Sequence, residues 1–216
     1  MNVAFVFMAV VLFSVNGNAQ FKYGGRVGLN AANMAGDYTD GQEPSMLLSF
    51  HVGAVGQYEF SEKFFVSPEI NYSAKGFTQE YESRGSILGV ETNTKFDLTA
   101  RLNYIEVPVH VGVKLTDSFV LKVGPYFGFL AGVKQEGTTE VEVAGVVTKT
   151  DFSSTSDAGI NSTDFGLNMG VQVQLPNGFG VEGRYGLGLS NTASEGNDAF
   201  QNRVLSFGIT YLLGGE

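Results

Sequence analysis

Two hundred and sixteen residues are enough for one ordinary domain. With 29 Gly, 18 Phe, 9 Tyr and only 16% charged residues, the composition is too aromatic and too uncharged for a disordered chain. The absence of Cys excludes disulfides, thiol catalysis and Cys-bound zinc, and a net charge of −9 argues against broad nucleic-acid binding. Beyond the first twenty residues no run reaches the ~18 apolar residues that a spanning helix requires. A helical membrane protein is thereby excluded, and a Gly-rich, aromatic-rich β protein remains.

Residues 1–19 (MNVAFVFMAVVLFSVNGNA) are a short apolar run followed by small residues, with Gly17 and Ala19 at the positions a signal peptidase reads. They are expected to be an export signal cleaved after Ala19, leaving residues 20–216 as one β-barrel domain. From Phe21 onward, apolar residues recur at every second position for about ten residues, break, and resume, which is the period of a strand. The first segment sets Phe21, Tyr23, Val27 and Leu29 against Lys22, Arg26 and Asn30. The second sets Leu48, Phe50, Val52, Tyr58 and Phe60 against Ser49, His51, Gln57 and Glu59. In the third, Phe64, Val66, Ile70 and Tyr72 alternate with Phe65, Ser67, Glu69, Asn71 and Ser73, and Lys75 continues the polar row. The fourth has Ile105, Val107, Val109, Val111 and Val113 opposite Tyr104, Glu106, His110 and Lys114. The fifth runs from Phe119 to Lys134, with Lys122, Tyr126 and Lys134 on the polar side. The sixth alternates Phe165, Leu167, Met169, Val171 and Val173 with Asp164, Asn168 and Gln172. The seventh alternates Phe179, Val181, Tyr185 and Leu187 with Glu182 and Arg184, and the eighth alternates Leu205, Phe207, Ile209 and Tyr211 with Ser206 and Thr210.

The links differ in length. Residues 61–63, 116–118 and 176–178 are tight, the last a Pro-Asn-Gly turn, whereas 31–47, 76–101, 135–162 and 191–202 are long. Eight strands with three short and four long links put both termini on the short-turn side. This predicts an all-β, eight-stranded antiparallel up-and-down transmembrane barrel, with turns in the periplasm and loops outside the cell. The 135–162 link contains VEVAGVVTKT, whose alternation extends the flanking strands as a hairpin above the membrane.

A soluble barrel would crowd charge onto its polar face, but here Gly, Ser, Asn and Gln dominate that face and the bases and acids nearly balance. A closed lumen needs such balance, because an unpaired ion there is costly. The apolar rows carry no charge, and a Lys or Arg at mid-bilayer on the lipid side costs about 2 to 4 kcal/mol. Aromatics at Phe21, Tyr23, Tyr58, Phe60, Phe64, Phe119, Phe179 and Tyr211 gather near the turns, as an interfacial girdle does.

The segments 24–30 (GGRVGLN), 67–76 (SPEINYSAKG), 104–110 (YIEVPVH), 123–127 (VGPYF), 179–191 and 202–211 together resemble the PorT-like outer-membrane β-barrel domain family, itself similar in shape to the OmpA barrel. The resemblance implies an outer-membrane location. It implies no activity: the family name comes from a component associated with secretion and gliding, and no residue here carries that role over.

The candidate functional residues are a lumen charge network of Lys22, Arg26, Glu59, Glu69, Glu106, Lys114, Lys122, Glu182 and Arg184, together with the lumen histidines His51 and His110. Lys22 is expected to pair with Glu59, and Arg26 with Glu69 or Glu106. Neither histidine has metal-ligand spacing, and no Ser–His pair or cofactor motif appears. The loop carboxylates Asp37, Asp40, Glu80, Glu82, Asp151 and Asp157 suit a solvated surface or, alternatively, a protease. The long links and their edges hold fourteen acids against five bases, which accounts for the whole net charge. Such a surface suits divalent cations bridging to lipopolysaccharide, or a protein partner. The expectation is a monomeric, non-enzymatic anchor or surface module in outer-membrane lipid, without cofactor and with a plugged lumen. A membrane enzyme and a soluble periplasmic ligand-binding barrel are the alternatives.

Overall fold

Period-two sequence becomes strand throughout. The computed structural model describes residues 20–36, 44–87, 90–194 and 199–214. Its strands are β1 (Gln20–Gly36), β2 (Ser45–Glu59), β3 (Phe64–Ile87), β4 (Val90–Lys114), β5 (Phe119–Val143), β6 (Val146–Ser154), β7 (Thr163–Gln174), β8 (Phe179–Gly188) and β9 (Phe200–Leu213). The segment expected to be a signal, 1–19, lies outside the described residues, as do Asp37, Asp40, Glu43, Glu195 and Asp198.

Eight strands close a ring in the order β1-β2-β3-β4-β5-β7-β8-β9 and back to β1, all antiparallel. The ladder from Tyr23↔Leu213 to Gly36↔Phe200 joins the two ends of the chain and seals the ring, leaving these strands no free edge. Turns close its near end. Leu175 N–H donates to Phe179 O at 2.7 Å, and Gly178 sits at φ +83°, which a side chain resists.

The ninth strand, β6, arises at the far end in the hairpin that the alternation of VEVAGVVTKT predicts, whereas the strand beyond Lys75 replaces an expected loop. The β3–β4 ladder continues without slip through Lys75↔Leu102 to Ile87↔Val90, so most of 76–101 is strand. The segment 135–162 likewise contains the rest of β5 and then β6, joined by the two-residue turn Ala144-Gly145 with both φ positive. Outside the lipid a hairpin needs no clean apolar row. Thr, Val, Tyr and Phe supply strand preference there while charges interrupt the alternation.

One bulge changes the register of faces. Asn103 pairs with Gly132 but Tyr104 pairs with Leu130, leaving Ala131 unopposed. Below it Lys122 and Tyr126 are buried inside the ring. Above it Val133 is buried and Lys134 is exposed, paired with Glu136 at 2.9 Å. Unbroken alternation placed Lys134 on the inner face; the extra residue turns it outward.

Burial in the ring inverts that of a soluble protein. Phe207 is 60% exposed and Phe127 58%, whereas Arg26, Glu69, Lys75 and Glu182 are at most 5% exposed. Exposed Val27, Val111, Val123, Val171, Val181 and Ile209 continue the apolar surface around the ring. A continuous apolar belt on this scale is not a surface that water tolerates. From Phe119 to Phe129, β5 rises about 25 Å at ~3.3 Å per residue and ~40° tilt, the height of an outer-membrane hydrocarbon band. At the turn end Phe21, Tyr23, Phe60, Phe64, Phe119, Phe179 and Tyr211 are exposed. Neighbouring rings meet there, with Phe179 and Tyr211 centroids 4.6 Å apart. These aromatics occupy the level of an interfacial girdle.

This geometry sets an expectation for charge on the belt. Ile209→Arg is expected to destabilise the barrel by about 2 to 4 kcal/mol in lipid vesicles, while Thr150→Arg on β6 changes it by less than about 0.5 kcal/mol. Denaturant unfolding followed by heat-modifiable gel mobility measures both.

Candidate functional site

Inward-facing residues from all eight ring strands meet in the lumen, where charged groups form three levels. At the turn end, Glu59 receives Lys22 Nζ at 2.8 Å, Lys114 Nζ at 2.5 Å and the Gln57 amide at 2.8 Å. These lysines keep about a fifth of their side-chain surface, so this level is partly wet.

At mid-height Glu69 is the hub. Arg26 Nη1 donates to its Oε2 at 2.8 Å, Arg184 donates to both oxygens at 2.9 and 3.1 Å, and the Asn71 amide adds a bond of 3.1 Å. Glu182 is the second acid, 2.6 Å from Arg184 and 3.3 Å from Arg26, and it is also bonded by Lys122. His51 completes the level. The Arg26 guanidinium can only donate, so His51 Nε2 accepts at 3.0 Å and Nδ1 carries the hydrogen toward Asn30 Oδ1 at 2.8 Å. The imidazole fits because Gly28 and Gly208 flank it, and a Cβ on either would meet the ring. His110 is fully buried, with Nδ1 3.3 Å from Glu69 Oε1.

Nearer the far end Lys75 takes the central place. Its ammonium pairs with Asp164 at 2.8 Å and with Glu106, and it lies 4.3 Å from the Tyr126 ring centroid and 5.3 Å from that of Tyr104. Asp164 also accepts from Tyr126 at 3.2 Å, Ser190 at 2.8 Å and Asn202 at 3.1 Å. The buried bases Arg26, Lys75, Lys122 and Arg184 match the buried acids Glu69, Glu106, Asp164 and Glu182 one for one among the described residues. Between the middle and far levels lies a hollow of about 30 Å³, lined by Arg26, Asn71, Lys75 and Glu106 among others, with room for about two water molecules.

All the expected network residues therefore lie in the lumen, with Lys22 on Glu59 and Arg26 on Glu69. Glu106 is brought to Lys75 instead. Lys75 and Asp164 are the functional residues that sequence reasoning left out of the network. Both stood on polar rows, but their 89-residue separation hides the pairing.

At the far end, the β3–β6 extensions present a charged outer surface. Arg84 and Asn93 donate to Glu82 and hold its carboxyl below the usual range, Lys134 pairs with Glu136, and Thr138 bonds Asp151 at 2.8 Å. Glu80 stands opposite Asp97 on β4. Among the described residues, no three His, Asp or Glu side chains gather to hold a metal ion.

The model of the outer membrane protein beta-barrel domain family matches residues 16–194. Among solved structures, the attachment invasion locus protein Ail of Yersinia pestis is 12% identical, covering 89% of this chain and 98% of its own, with a TM-score of 0.41. Neisserial surface protein A is 12% identical, covering 91% and 99%, with a TM-score of 0.35. CarO of Acinetobacter baumannii is 9% identical, covering 86% and 97%, with a TM-score of 0.40. A search of curated proteins finds no match.

The hub predicts its own sensitivity. Glu69→Gln leaves two arginines short of a counter-ion in a closed interior and is expected to cost about 3 to 5 kcal/mol. Glu59→Gln, at the wetter turn end, is expected to cost about 1 kcal/mol. Unfolding midpoints in the same vesicles compare the two, and the reverse order would contradict the assigned hierarchy.

Proposed function

Because this chain belongs to the outer membrane protein beta-barrel domain family and is an outer-membrane barrel, we propose that it is a non-enzymatic anchor that displays an acidic hairpin sheet outside the cell. The observation that carries this reading is the occluded lumen. Paired ions and amides fill it, leaving at the ion levels a hollow sized for water. What the protein offers to other molecules is therefore its far end, where β3, β4, β5 and β6 rise clear of the apolar belt. The outer face there carries Glu80, Glu82, Asp97, Glu136, Glu140, Glu142 and Asp151 against Arg84, Lys95, Lys134 and Lys149, an acidic excess suited to a cationic partner or to divalent cations shared with lipopolysaccharide. In this reading residues 1–19 direct export and are removed, the tight turns face the periplasm, and the barrel works as a monomer. The motifs 24–30, 67–76 and 104–110 support its placement in the PorT-like branch.

In a planar bilayer the purified barrel is expected to show no steady conductance, and a stable open pore would refute the plug. On intact cells, surface protease is expected to cut only within 37–43, 76–101, 135–162 and 191–202. Cuts at 61–63, 116–118 or 176–178 would reverse the orientation. Mass spectrometry of the mature chain should find Gln20 first.

A further inference from the structure

Above the ion levels the structure holds a second site, apart from the lumen network and beyond the anchoring role. Inward-facing residues of the β3, β4 and β5 extensions, with β1, β9 and the 159–160 and 192–193 segments, enclose a cleft of about 370 Å³. Met34, Phe77, Leu98, Leu102, Ile160 and Phe200 form most of its apolar lining. Buried Met34, Leu102, Tyr104 and Val133 pack together at its base.

The bulge at Ala131 makes the cleft apolar. With unbroken alternation Lys134 and Glu136 would project into it. The extra residue turns both outward and leaves Val133 and Gln135 on the inner side. None of the lining residues is charged, and polar side chains enter only at Gln79, Gln135 and Thr192. The far wall is pinned rather than loose. Ile160 bridges Ala193, Asn161 N–H donates to Thr192 O at 2.8 Å, its side-chain amide donates to Asn191 O at 2.8 Å and Ala193 O at 3.0 Å, and Ser194 N–H donates to Gly159 O at 2.9 Å. A preformed apolar cavity with a few polar groups is the usual form of a small-molecule site, and 370 Å³ lies at the small end of that range.

Charge and shape restrict the occupant. The reverse side of the same sheet carries Glu80, Asp97, Glu136, Glu140, Glu142 and Asp151 against Lys95, Lys134 and Lys149, and this acidic excess disfavours anions near the mouth. The thioether of Met34 and the rings of Phe77 and Phe200 favour a flat aromatic surface over a flexible chain. We propose that this cleft binds a small uncharged aromatic molecule of one or two rings, entering from the hairpin end.

The test uses the full mature barrel in lipid nanodiscs with ¹³C-methyl methionine, titrated with naphthalene. Met34 lies in the cleft, whereas Met46 and Met169 are on the exposed outer face of the barrel strands and report partition into lipid. The Met34 methyl signal is expected to shift and saturate while those of Met46 and Met169 drift linearly. Naphthalene sulfonate, the anionic analogue, is expected to produce no saturable shift. Ala100→Trp, which fills the cleft, should abolish the saturable response. Gln135→Glu, which adds charge without bulk, should weaken it about tenfold or more. A Met34 shift as linear as that of Met169, saturation by the sulfonate at equal concentration, or an unchanged response in both variants would overturn the proposal.

Discussion

An ion removed from water must find its partner, and in this molecule each of the four buried bases finds at least one on another strand. Arg184 reaches Glu69 across 115 residues of sequence and Lys75 reaches Asp164 across 89. Each pairing exists only once the ring is complete. The apolar belt makes the converse demand, because charges that failed to pair inside could not turn outward into hydrocarbon. Ring closure and charge neutralisation are thus one condition satisfied together. The one-for-one match of the four buried bases with the four buried acids among the described residues satisfies it. The mid-level, with Arg26, Lys122 and Arg184 against Glu69 and Glu182, has one base in excess; the Lys75 level, with Glu106 and Asp164, has one acid in excess.

The same narrow ring that requires pairing also limits function. Eight strands leave room for side chains and little else. Where larger barrels conduct, this one is filled by arginines, amides and the two histidines, and His51 fits only between Gly28 and Gly208. The chain changes character where β4 and β5 slip by one residue at Ala131. Below that point charges face inward and the outside is greasy; above it the charges of β5 face outward and an apolar cleft opens on the inner side. A single inserted residue thus separates the ion-filled part of the ring from the apolar cleft without breaking either strand.

Much of this was legible in the sequence, because the lipid enforces strict alternation. In β9, Leu205, Phe207, Ile209 and Tyr211 reveal their face without reference to any other strand. The candidate network was legible for the same reason: Arg26, Glu69 and Arg184 each stand on the charged row of an otherwise apolar ribbon. What stayed hidden was of two kinds. The Lys75 level depends on long-range neighbours, so the rows carrying Lys75 and Asp164 gave no sign that the two would meet Tyr104 and Tyr126. The β5–β6 hairpin was legible in VEVAGVVTKT, but the β3–β4 extension escaped because water, unlike lipid, does not impose alternation: FTQEYESRGS reads as a polar loop and folds as strand. Lys134 was misplaced because a bulge leaves no distinctive mark in the sequence around Ala131.

The most direct measurement of the central claim is an accessibility scan of β9. The chain has no cysteine, so a spin label can be introduced at each position from Asn202 to Leu213 in turn, and its collision rates with oxygen and with a water-soluble nickel complex measured in vesicles. Labels at Leu205, Phe207, Ile209, Tyr211 and Leu213 should be rich in oxygen contact, and those at Val204, Ser206, Gly208, Thr210 and Leu212 poor in it, with a period of two. The opposite phase, or high nickel access along the odd-numbered row, would mean that the apolar side does not face hydrocarbon.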